Sequence, residues 1–70
     1  MEQLREKAIN VLDSLLEIAK SECEDENAGE EFKERLYCKL CGEIWAFQHI
    51  DLITTREALN YIRLANAITR

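Results

Sequence analysis

"YCKLCGEIWAF", residues 37–47, is the stretch on which the reading of this chain turns. Cys38 and Cys41 stand three apart and Gly42 follows them, a spacing used by redox motifs and by metal sites. The same letters also fit a packed helix. A redox CxxC of the thioredoxin type sits where a strand enters a helix, and no strand period is present here. Phe32, Leu36, Leu40, Ile44 and Phe47 recur every three or four residues and give one apolar face to a helix over about 30–49. Tyr37, Cys38, Cys41 and Trp45 widen that face sideways, so this helix is expected to be the central one.

A structural zinc site needs four ligands. Cys23 and His49 are the other obvious candidates, and on an unbroken helix His49 lies about 12 Å along the axis from Cys41. Cys23 belongs near the loop that precedes the helix. One chain therefore assembles no such site without breaking a helix, and no metal is expected. The remaining metal reading is a Cys₄ site shared by two chains. For free cysteines, burial as small apolar residues is the default. Gly42 adds a second clue, because a mid-helix glycine costs about 1 kcal/mol relative to alanine. Cys38, Gly42 and Ala46 are four apart and form a ridge of small side chains, over which another helix can approach closely. Cys38, Gly42, Trp45 and Ala46 are the expected oligomer interface.

Outward from this stretch, the rest of the chain is also helical in pattern. On the N-terminal side, Leu4, Ala8, Ile9, Val11, Leu12, Leu15, Leu16, Ile18, Ala19 and Cys23 predict a helix over about 2–23. They cover about half of the helix circumference, which suggests two neighbours. "ECEDENAGEE", residues 22–31, holds six acids and reads as the hairpin loop, with Gly29 as a turn or C-cap residue. On the C-terminal side, Thr54 and Glu57 form a capping-box pattern, and Ile53 with Ala58 a hydrophobic staple. The third helix is expected over about 55–69, with Ala58, Tyr61, Ile62, Ala65 and Ile68 inward.

The chain has 70 residues, 47% of them hydrophobic, with no proline. That composition predicts one all-α domain over residues 1–70, a long helical hairpin plus a third helix. A chain this short buries only about 60% of its unfolded surface, and its apolar surface exceeds what one copy covers well, so a homo-oligomer is expected. Three cysteines do not make a disulfide framework. With no apolar run of membrane-spanning length and no signal-peptide pattern, the expected compartment is the cytoplasm, that of the host if the chain is phage-encoded.

The net charge of −5 is uneven: the front half is acidic and the back half slightly basic. This disfavours direct nucleic-acid binding by the front half and suits a basic protein partner. The acidic loop fails as a calcium hand, since Gly29 at position six puts Ala28 at five and Arg35 at twelve. "LITTREAL", residues 52–59, resembles the opening of a helix-turn-helix, but no recognition helix follows it in the sequence. His49 is the single histidine and has no visible catalytic partner, and no Gly-rich phosphate loop exists. Neither catalytic residues nor cofactors are expected.

Arg56, Arg63 and Arg70 repeat every seven residues along the third helix, flanked by Asn60 and Asn66. Arginine forks suit phosphates and carboxylates. These five residues are the candidate ligand site, completed by a second chain. The alternative is a solvated face, or ion pairs with the acidic first helix.

"YIRLANAITR", residues 61–70, resembles the end of a group of small phage helical-hairpin proteins. These are sponges for cyclic-nucleotide signals in anti-CBASS counter-defence. The matching positions are Ala65, Asn66, Ala67, Ile68 and Arg70; "LCGEIWAF" lies outside the resemblance. It implies a compact oligomer that sequesters a small nucleotide, with Arg70 near a phosphate. The expected function is thus non-enzymatic phage or mobile-element counter-defence, sequestering a nucleotide signal or a host defence protein. One alternative is an acidic decoy of a nucleic-acid-binding protein, anti-CRISPR-like in its logic, acting through residues 22–31. The other is a structural helical assembly module.

Overall fold

The computed structural model describes residues 2–70 and contains three helices: α1 (Glu2–Cys23), α2 (Glu30–His49) and α3 (Thr55–Thr69). All three coincide with the expected segments. They form a rod measuring 40 × 17 × 14 Å. No helix is long and apolar enough to cross a membrane among the described residues.

The α1–α2 turn is built from its acids. The Asn27 N–H donates to Asp25 Oδ1 at 2.9 Å, and the Ala28 N–H donates to the Asp25 carbonyl at 3.0 Å. A short side-chain oxygen that accepts from the backbone two residues on is what makes Asp a turn residue. Gly29 then serves as the N-cap of α2, with extended backbone and no side-chain cap. It is not the C-cap of α1 and does not use a glycine-only conformation. Glu30 and Glu31 in the first turn of α2 complement its dipole.

Between α2 and α3 the chain reverses through a Schellman motif. The Leu52 N–H donates to the Phe47 carbonyl and the Asp51 N–H to the Gln48 carbonyl, both at 3.0 Å. The position that usually holds glycine is Asp51, with φ 62°. The capping box then starts α3: the Glu57 N–H donates to Thr54 Oγ1 at 3.1 Å, and the Thr54 N–H donates to Glu57 Oε1 at 2.8 Å. Ile53 and Ala58 are both buried in one cluster, so the staple forms as expected.

The core lies in two adjoining clusters. Leu12, Ile44, Ile53 and Ala58 form one; Leu16, Ala19, Leu40 and Ala65 form the other. Tyr61 packs against both. Leu40 and Ile44 of α2 are buried and Phe47 half-buried, but Phe32 is exposed. The expectation of a central α2 needs adjusting. The shortest helix, α3, is wedged against both others and packs most extensively on α2, while α1 and α2 touch each other least. Alanines at 58 and 65, both fully buried, let α3 sit this close. Thr69 is buried because its hydroxyl donates to the Ala65 carbonyl at 2.8 Å, which satisfies its one donor.

Candidate functional site

The α2–α3 side of the rod carries most of the residues singled out from the sequence. Two side-chain contacts fix how the antiparallel helices face each other. Near one end Gln48 Nε2 donates to Thr55 Oγ1 at 3.2 Å; near the other Arg70 Nη2 donates to both Glu34 carboxylate oxygens at 3.2 Å. At about 100° per residue, α2 then turns Cys38 and Trp45 outward beside this seam. By the same phase, α3 turns Arg56, Arg63 and Asn60 outward on its own side.

All three arginines are exposed, as are Asn60 and Asn66. They do not behave alike. Arg70 is drawn onto α2, with its guanidinium 4.7 Å above the Tyr37 ring and an ion pair to Glu34. The hollow beside it is lined by Glu30, Lys33, Glu34, Thr69 and Arg70, so an anion entering there meets two carboxylates as well as two cations. Arg56 and Arg63 make no ion pair and no side-chain hydrogen bond among the described residues. Of the alternative readings, ion pairs between this stripe and α1 are not formed among the described residues, and Arg56 and Arg63 stand on a solvated face. The α1–α3 ion pair runs the other way: Arg5 Nη1 donates to Glu57 Oε1 at 2.8 Å, with a second contact from Nη2 to Oε2. That fork and the Thr54 backbone hold the Glu57 carboxyl down to about 2. Tyr61 donates to Asp13 Oδ1 at 3.2 Å, and burial and the Asp13 charge push its hydroxyl above the usual value.

Cys38, Gly42, Trp45 and Ala46 are all exposed. A Cβ built on Gly42 would meet no atom within 4 Å, so no helix of this chain approaches the ridge closely. The default of buried cysteines fails for Cys38, whose phase on α2 points away from both neighbouring helices. Cys23 and Cys41 are half-buried. The Tyr37 hydroxyl is raised above its usual value, chiefly by hydrogen bonding to Cys41. No three His, Cys, Asp or Glu side chains come together as a metal cluster among the described residues.

Leu4, Val11 and Ile18 repeat every seven residues in α1, and all three are exposed, at 52%, 44% and 54%. That spacing puts the three on one edge of the helix. The chain matches no protein-family model, no curated protein and no solved structure.

Proposed function

We propose that this protein acts by binding, as a phage or mobile-element counter-defence protein that sequesters a component of host immunity. The ligand class is a nucleotide signal, held through its phosphates by Arg56 and Arg63 with Asn60 and Asn66 beside them. The observation that carries this reading is that these two arginines are exposed and unpaired on one face of α3, in a chain of net charge −5. Guanidinium groups without a carboxylate partner are available to phosphate, and the planar fork gives two parallel donors. Arg70, already held by Glu34, takes a flanking role and would reach a phosphate only by releasing that carboxylate. The small-residue ridge and Trp45 extend the same side of the rod and offer a helix-sized contact to a host protein.

The test is a thermal shift with cyclic mono- and dinucleotides. Binding raises the melting temperature with the logarithm of ligand excess over Kd. The rise should vanish in an Arg56→Ala, Arg63→Ala double variant, whose own stability should be unchanged. No shift with any nucleotide would remove the nucleotide reading.

A second reading is supported by the loop. Glu22, Glu24, Asp25, Glu26 and Glu30 are exposed and form no ion pair among the described residues; Glu31 meets only Arg35, one turn away. Such a surface suits an acidic decoy for a basic protein. It predicts salt-sensitive capture of that protein and no nucleotide effect. A purely structural module predicts neither response.

A further inference from the structure

Eight large apolar side chains are exposed, and helical phase puts five of them, Leu4, Val11, Ile18, Phe32 and Ile50, toward the α1–α2 side of the rod. Ile18 and Leu15 line the shallow groove between α1 and α2, opposite Leu36, Leu40 and the Lys39 stem. The seven-residue repeat of α1 therefore runs along that groove from Leu4 through Val11 to Ile18. On α2, Phe32 is one turn before Leu36, and Ile50 lies seven residues beyond Glu43, which lines the groove with Glu22 and Lys39. The edge formed is apolar at both ends and in the middle. It follows α1 and α2, the helix pair that packs least extensively.

The surface area argues for an occupant of definite size. The chain exposes 5205 Å². A folded monomer of 8.2 kDa exposes about 4,500 Å² by the usual size scaling. The excess, roughly 700 Å², is close to one partner's share of a standard protein–protein interface, about 800 Å².

The charges argue for which occupant. A two-fold axis lying in the face and crossing both helices pairs each position with its mirror in register. Placed between Ser14 and Leu15 on α1, it sets Val11 against Ile18 of the second copy, and Lys7 against Glu22. Placed at Cys41 on α2, it sets Phe32 against Ile50, and Lys39 against Glu43. The two points lie within about one turn of the same level, since Leu12 and Ile44 share a core cluster. One axis thus sets Val11 against Ile18 and Phe32 against Ile50, and cation against anion on both helices, with Leu4 falling opposite Asp25. Lys39 and Glu43, one turn apart, form no ion pair with each other within the chain.

We propose that the α1–α2 face is closed by a second copy of this chain, laid antiparallel across it to form a two-layer, four-helix bundle. This places self-association on the α1 side of α2, away from Trp45, and leaves the arginine face of α3 open. It does not depend on the sequestration reading.

Sedimentation equilibrium on the full chain should give twice the chain mass of 8.2 kDa. Ile18→Glu should give a monomer with unchanged helical circular dichroism, and Trp45→Ala, on the other side of α2, should remain a dimer. Lys39→Glu alone and Glu43→Lys alone should each weaken the dimer at least tenfold, because like charges then face each other. An equimolar mixture of these two variants should recover the dimer as a heterodimer, a result that misfolding of either variant cannot imitate. A monomeric native chain, or a mixture that associates no better than its components, would overturn the proposal. So would a dimer that survives Ile18→Glu and is lost in Trp45→Ala.

Discussion

Gly42 and Asp51 are the two residues at which backbone preference and structure disagree. Gly42 sits in the middle of α2 with open space where a Cβ would be. Nothing inside the chain requires glycine there. Gly42→Ala should therefore stabilise the fold by about 0.5–1 kcal/mol, read as a higher urea midpoint with the same slope. Gly42→Leu should also fold, and should weaken only a partner that packs on the ridge. Asp51 has the opposite problem, a left-handed conformation on a residue with a Cβ. Asp51→Gly should raise stability by up to about 1 kcal/mol, measured by the same denaturation. A loss would mean that the Asp51 side chain contributes more than its backbone strain removes.

At the scale of the helix, α3 depends on the group of Thr54, Glu57 and Arg5. One carboxylate closes the capping box and accepts the guanidinium of α1, so it joins a local cap to a tertiary contact. Its pKa is depressed to about 2, first by the Arg5 hydrogen bonds and then by the Thr54 N–H. A carboxyl whose folded pKa is lowered stabilises the native state above its unfolded value, and that contribution fades as pH falls toward the folded value. The native chain should thus lose stability between about pH 4.5 and pH 2 more steeply than Glu57→Gln, which should already be weaker at neutral pH. Thermal melts of the two proteins across this range provide the check. Parallel curves would show that the solvent-facing side of this ion pair is too well screened to matter.

For the whole molecule, the arrangement separates three surfaces. The acidic turn occupies one end of the rod, near Arg70; the arginine and ridge face follows α2 and α3; the apolar edge follows α1 and α2. The proposed ligand binding and the proposed self-association then use separate surfaces and predict independent behaviour. An Arg56→Ala, Arg63→Ala variant should keep the native sedimentation behaviour, and Ile18→Glu should keep any nucleotide-induced thermal shift. Coupled losses in both directions would mean that the ligand site spans two chains.

The helices, their ends and the start of α3 were all legible in the sequence, because each rests on local chemistry: apolar period, turn acids and a capping box. So was the inward face of α3, with Ala58 and Ala65 at its centre. Two assignments needed the tertiary structure. Periodicity places Cys38, Gly42 and Ala46 on a ridge but does not tell whether this chain or another fills it; the third helix lies elsewhere, and the ridge stays open. Seven-residue spacing makes Arg56, Arg63 and Arg70 look equivalent, yet only Arg70 comes within reach of Glu34 and Tyr37. Helical phase is a property of the nearest few residues. Which phase meets a neighbour depends on how three helices share one small core, and the two small alanines of α3 settled that by letting it take the crease.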